Sequence, residues 1–253
     1  MRKPIMAGNW KMYKTPDEAM QFVESLPSWL LKETKVEMVI CAPFVSLDRL
    51  GNALKETNVK LGAQNMYWEN EGAFTGETSA RMLQAVGCEY VVLGHSERRQ
   101  FFGDTDLTVN TKVKKTLEVG LKPIMCVGET LSEREAGKTD EIVLSQVTNG
   151  LKDISLSLDT VENFIIAYEP VWAIGTGKIC ETNEANRVIG LIRKTVESLY
   201  NAEIANAMRI LYGGSVKPEN TKELLATSDI DGGLVGGASL NADSYSKLIE
   251  NSI

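Results

Sequence analysis

Apolar residues along this chain come in two rhythms that alternate from one end to the other. Short, unbroken apolar runs rich in β-branched residues cover 4–9, 37–41, 59–64, 90–93, 123–127, 164–168, 209–212 and 232–235. Runs that are apolar throughout, rather than at every second position, are what strands buried on both faces require. Between them, longer stretches read as helices over 16–31, 47–55, 79–86, 105–119, 138–151, 183–200, 219–226 and 243–249. The first has a sharp start. Thr15 is placed as a cap, Pro16 suits the first helical position, and Glu18, three residues after Thr15, completes a capping box. Thr182 is placed to cap the stretch 183–200, whose Ile189, Ile192 and Val196 fall at helical spacing.

Eight strand–helix units of about 32 residues result, with no linker or low-complexity segment to divide the 253 residues. Repeated βα units pair their strands in parallel through right-handed crossovers. This predicts one α/β domain over residues 1–253. A closed (β/α)8 barrel is the first choice and an open, doubly wound sheet the alternative; the count of units fits both.

Charge and cysteine content narrow the function classes. The formal net charge is −7, with no basic stripe, so a nucleic-acid partner is not expected. An anionic substrate would need a local cluster of positive groups. No apolar run reaches 18 residues, which excludes a spanning helix. Met1-Arg2-Lys3-Pro4 leads into the first strand without the apolar stretch of a signal peptide. Cys41, Cys88, Cys126 and Cys180 are far apart and the chain has one histidine. That pattern argues against a zinc site and a disulfide framework and for buried thiols in a reducing cytosol.

Polar and glycine residues collect where the strands end. The first strand ends in Asn9-Trp10-Lys11, the third in Gln64-Asn65, and the fourth in Gly94-His95-Ser96-Glu97. The sixth ends in Tyr168-Glu169-Pro170, the seventh in Gly213-Gly214-Ser215 and the eighth in Gly236-Gly237. In a barrel these ends open on one face, the face on which active sites form. Glu169 is a candidate base: Pro170 after it cannot continue the ladder, and a carboxylate at an apolar rim is poorly solvated, which raises its basicity. His95 reads either as a structural residue, as a lone histidine more often is, or as an electrophile, because the start of a helix at Ser96 disfavours a charged imidazole. Lys11 offers positive charge at a polar exit from an apolar strand. Gly175-Thr176-Gly177, Gly213-Gly214-Ser215 and Gly236-Gly237 let backbone N–H groups approach an anion, a phosphate cradle. Gly232-Gly233, just inside the last strand, is assigned to packing.

Five segments carry a resemblance: Ala7-Gly8-Asn9-Trp10-Lys11-Met12, Gly94-His95-Ser96-Glu97-Arg98-Arg99, Ala167 through Gly177, Leu211-Tyr212-Gly213-Gly214-Ser215-Val216 and Val235-Gly236-Gly237-Ala238-Ser239-Leu240. They resemble the signatures of the triosephosphate isomerase family, in family order and spacing from the first strand to the last. The resemblance implies a single-domain (β/α)8 TIM barrel in the cytoplasm, serving glycolysis and gluconeogenesis. It implies interconversion of glyceraldehyde 3-phosphate and dihydroxyacetone phosphate through an enediolate, without cofactor or metal. A glutamate base beside a neutral imidazole is that family's established acid–base pattern.

By the same resemblance, Asn9 orients the site and Lys11 contacts substrate. Glu97 serves either in proton handling or by pairing with Lys11. Gly175, Ser215, Gly236 and Gly237 bind phosphate. Pro170, Val171, Trp172, Ala173, Ile174, Gly175, Thr176, Gly177 and Lys178 form a mobile lid that excludes water. Ile179-Cys180 departs from the smaller or more polar residues expected after such a lid. Gly72 to Glu77, including Phe74, Thr75 and Gly76, resembles a loop that inserts into a second subunit and implies a homodimer. Cys126 has no spare histidine to activate it and reads as structural. A phosphosugar aldolase is the competing barrel enzyme. It would need a Schiff-base lysine or a histidine-held metal, and the sixth strand here ends in a glutamate.

Overall fold

Each strand of the barrel comes from one of the eight apolar runs, with Ala42, Cys88, Glu89 and Lys122 added at strand ends. In a computed structural model that describes residues 2–253, they form β1 (Ile5–Asn9), β2 (Glu37–Ala42), β3 (Val59–Ala63), β4 (Cys88–Leu93), β5 (Lys122–Val127), β6 (Ile165–Tyr168), β7 (Arg209–Tyr212) and β8 (Gly232–Val235). Met1, the first residue of the expected domain, lies outside the described residues. Each strand pairs in parallel with the next, and β8 returns to β1 with Ile5 opposite Gly232, so the sheet is a closed (β/α)8 barrel. The open-sheet alternative is thereby excluded.

The unbroken apolar runs resolve into two cores. Ile5, Ala7, Val39, Cys41, Tyr90, Val92, Ile124, Cys126, Ile165, Ala167, Leu211 and Leu234 fill the barrel interior. Their neighbours in sequence, such as Met6, Met38, Ile40, Val91, Met125, Ile166 and Ile210, pack outward against the helices. Alternate residues thus face two different apolar layers, which is why the runs show no polar alternation. Trp10, fully buried, donates its indole N–H to the carbonyl of Ser239 at 3.1 Å and ties the end of β1 to the segment after β8.

Closure requires glycine at 232. A Cβ there would lie 1.9 Å from the Ile5 carbonyl oxygen, and the backbone φ of +146° disfavours any other residue. Gly232→Ala should therefore lower unfolding free energy by about 3 kcal/mol or more, read from denaturant unfolding. Near-wild-type stability would show that β8 and β1 can part without loss.

The helices differ from the sequence reading in ways the sequence explains. The predicted helix 16–31 stops at Glu24, and a 3-10 turn, Leu30–Lys32, follows separately. Pro27 removes a backbone donor and disfavours helical geometry at Leu26. The capping box of Thr15 and Glu18 and the position of Pro16 are as expected. The helix predicted over 47–55 begins earlier, at Phe44, directly after Pro43. Thr182 is not the cap of the helix Thr182–Leu199 but its first residue. Short helices at Leu131–Glu135, Leu158–Val161 and Ala202–Ala207 were not predicted; they are too short to show a period.

Candidate active site

Strand parity carries two side chains to the carboxyl mouth of the barrel. Asn9 continues the inward series Ile5, Ala7, and Glu169 continues Ile165, Ala167. Both are nearly buried, as is His95. They border a cleft of about 780 Å³ together with Lys11, Ser215 and Gly236. Gly213 stands on the inward series of β7, where a Cβ would come within 2.8 Å of Glu169 Cγ, so the base has its space only because this residue is glycine.

Glu169 and His95 touch. Nε2 of His95 lies 2.8 Å from Oε1 of Glu169, and the Ser96 N–H donates to Oε2 at 2.9 Å. Burial pushes the Glu169 carboxyl up. The charge and hydrogen bond of His95, the Ser96 N–H and Lys11 outweigh this and hold it below the ordinary carboxylate value. The expected rise in basicity from poor solvation is therefore reversed in this arrangement, because the sequence did not disclose these donors. For His95, burial pulls the imidazole down, while Glu169 and Glu97 lift it, with a net upward direction. Yet the Glu97 N–H points at Nδ1 from 3.2 Å, a contact that only an unprotonated nitrogen accepts. The assigned tautomer is neutral, with its hydrogen on Nε2 facing Glu169. The helix Ser96–Phe101 thus acts on its cap residue through one backbone N–H as well as through its dipole.

Lys11 sits in a left-handed backbone conformation, φ +51°. Two side chains hold it there. Its N–H donates to Asn9 Oδ1 at 3.0 Å, and its carbonyl accepts from Gln64 Nε2 at 2.9 Å. The ammonium pairs with Glu97 Oε1 at 2.7 Å, so of the two roles open to Glu97 the arrangement displays the pairing.

Gly175, Ser215, Gly236 and Gly237 all border the same cleft, drawn from three loops. The segment 170–178, expected as a lid, divides into two halves. Val171–Ala173 forms a 3-10 turn after Pro170, while Gly175, Thr176, Gly177 and Lys178 are exposed. Ala173 and Ile174 reach the cleft, but Trp172 does not: its indole N–H donates to Glu129 Oε1 at 2.8 Å. A buried indole seeks an acceptor, and Glu129 is the one within reach.

Glu129 is a participant that sequence reading missed. It is fully buried and also accepts from the Tyr168 hydroxyl at 3.1 Å, while its carbonyl receives the Val171 N–H. The signal was available: Gly128-Glu129 follows β5 as polar rim residues follow the other strands. Ser96 reads from the sequence only as part of a motif, though its N–H contacts Glu169. Cys126, read as structural, lies in the barrel interior facing the same carboxylate; burial foremost, then Glu169, pushes its thiol pKa far up. Residues 72–77 are not brought into this chain's own cleft; Phe74, Thr75 and Gly76 stand exposed, with the Phe74 ring against Tyr67.

A closed (β/α)8 barrel with a carboxylate–imidazole pair beside glycine-bearing loops has the form of a barrel enzyme that moves protons. Comparison with known proteins gives the family. A family model described as triosephosphate isomerase matches residues 4–252. A triosephosphate isomerase of Thermoanaerobacter pseudethanolicus is 55% identical over 249 residues, covering 98% of this chain and 99% of its own. One from Carboxydothermus hydrogenoformans is 53% identical over 253 residues, the full length of both. The chain belongs to the triosephosphate isomerase family.

Proposed function

We propose that this chain interconverts glyceraldehyde 3-phosphate and dihydroxyacetone phosphate through an enediolate, with Glu169 as base and His95 as neutral electrophile. The observation that carries the reading is the 2.8 Å contact between these two side chains at the mouth of the cleft. Glu169 takes a proton from one carbon of the substrate and returns it to the neighbouring one. His95 donates through Nε2–H to the substrate oxygen and moves a proton between the two oxygens. For this, Glu169 leaves the Ser96 N–H, and the imidazole N–H turns from Glu169 to the substrate. Lys11 offsets the charge of the enediolate, and the backbone N–H groups around Gly175, Ser215, Gly236 and Gly237 receive the phosphate. Asn9 holds the Lys11 backbone, and Glu97 fixes its ammonium.

The lid, closing from Pro170 to Lys178, keeps water from the enediolate. Trp172 must give up its bond to Glu129 if it is to turn toward the cleft. The aldolase alternative finds no lysine at the end of β6, where Glu169 stands. A coupled assay of triose phosphate interconversion with added chelator tests the reading. Full activity is expected; its absence, in a folded protein, would overturn the assignment.

The working unit on this reading is a homodimer in the cytoplasm, with no nucleic-acid or membrane partner. Met12, Val45 and Phe102 are exposed apolar side chains. A second cleft, bordered by Met12, Phe44 and Phe102, opens onto Asn9, Lys11 and His95. An inserted loop from a second copy would cover that apolar surface and brace the site. Replacing 72–77 with a short glycine-serine turn should yield monomers by light scattering, with turnover lower by about tenfold or more. A fully active monomer would remove the dimer from the account.

A further inference from the structure

Arg99 lies on the helix Ser96–Phe101, one turn beyond His95, and borders neither cleft at the catalytic mouth. Its side chain is largely buried, and each of its three nitrogens is bonded. Nε donates to the Gly94 carbonyl at 2.9 Å, Nη2 to the Cys126 carbonyl at 3.2 Å and Nη1 to Asp106 Oδ1 at 2.6 Å. The Arg99 backbone N–H donates to the His95 carbonyl at 3.1 Å. One residue thus grips the peptide groups on both sides of the His95 Cα.

These bonds fall where strand pairing stops. The ladder between β4 and β5 ends at the pair Leu93 and Met125. Gly94 and Cys126 are the next residues on the two strands, and the Arg99 fork joins their carbonyls. Gly94, with φ +67°, turns the chain out of the strand, and a Cβ there would lie 2.6 Å from Val109 Cγ2. His95 stands beyond the end of β4 and Glu169 beyond the end of β6, with β5 between the two strands. On the β6 side, the Glu169 N–H is bonded to the Val127 carbonyl at 2.7 Å. On the β4 side, beyond the last ladder pair, the link is the Arg99 guanidinium. Asp106, which holds its third nitrogen, accepts in turn from Asn149 Nδ2 at 3.3 Å, on the helix Thr139–Gly150.

We propose, on the isomerase reading of the Glu169–His95 pair, that Arg99 is a positioning residue: its fork clamps the ends of β4 and β5 and so sets the distance between base and electrophile. A planar guanidinium serves two carbonyls and a carboxylate at once, whereas an ammonium offers one nitrogen on an unbranched stem. Without the fork the buried Gly94 carbonyl loses this donor, and the two strand ends are free to part. A misplacement of about 1 Å between reacting groups is enough to cost about 10²-fold in rate. Lys11, after β1, and Gly236 and Gly237, after β8, stand on the other side of the mouth, so substrate binding is spared.

Because the chain has one histidine, its imidazole Nε2–H proton gives a single NMR signal that reports the contact with Glu169. Arg99→Met keeps the bulk of the stem and removes every donor. It should move that signal upfield and speed its exchange with water, and lower kcat by about tenfold or more with KM changed far less. Arg99→Lys keeps the charge beside Asp106 but not the fork; it should fall between Met and wild type in both readouts, and it decides the matter where the Met variant does not fold. A folded Met variant with the wild-type His95 signal would overturn the proposal, whatever its turnover. So would a KM that rises as much as kcat falls, or a Lys variant equal to the wild type in signal and turnover. Lack of turnover in the wild type would fall on the isomerase reading alone, and the His95 signal would still decide the clamp.

Discussion

Glu169→Asp should lower kcat about 10²-fold while leaving the fold and its melting temperature near the wild-type values. Aspartate keeps the charge but withdraws the carboxylate by about 1 Å, a distance that decides whether a base meets a carbon-bound proton. The surroundings do not let the backbone compensate. Glu169 N–H is bonded to the Val127 carbonyl at 2.7 Å, and the Tyr168 carbonyl receives the Gly213 N–H at 2.7 Å. Both strands flanking β6 therefore fix the Cα from which the side chain starts. The shortened group also loses its reach toward Ser96 and His95. Undiminished turnover would remove Glu169 as the base.

His95→Gln is expected to act on kcat, by about 10² to 10³-fold, with KM changed by far less. A glutamine amide can donate one hydrogen bond to a substrate oxygen, so binding is largely retained. It cannot accept and release a proton between two oxygens, and it has no second nitrogen to take the Glu97 N–H that orients the imidazole. A variant that raises KM and spares kcat would show that His95 binds and does not polarise.

The barrel was legible because its strands are apolar on both faces, and the site because its residues stand at strand ends in motifs that travel together. Position and chemistry alone mark Lys11 and Glu169 as candidates, whereas His95 needs the resemblance of the motif around it, because a lone histidine is more often structural. What stayed hidden depends on distance. Apolar continuity said that both sides of a strand are buried, but not that Ile165 faces the barrel interior while Ile166 faces the helices. Glu129 escaped because its role rests on Tyr168 and Trp172 closing around it, and both lie about 40 residues downstream. The direction of the Glu169 pKa was misread for the same reason: burial is visible in an apolar strand, whereas the Ser96 N–H and the imidazole are supplied by another one. The first helix is shorter than its apolar spacing predicts because Pro27 disfavours helical geometry at Leu26.

Parity along β6 has a further consequence for how this protein can vary. Glu169 enters the mouth because it is an even number of residues beyond Ile165 and Ala167. Insertion of a single residue within β6 would exchange the two faces, presenting Tyr168 to the cleft and Glu169 to the helix layer. The strands therefore do not tolerate a change of length by one, while the loops that follow them can lengthen without moving the base. Over long divergence, insertions and deletions should accumulate in those loops and be absent from the strands, leaving the chemistry fixed while the contour around it changes.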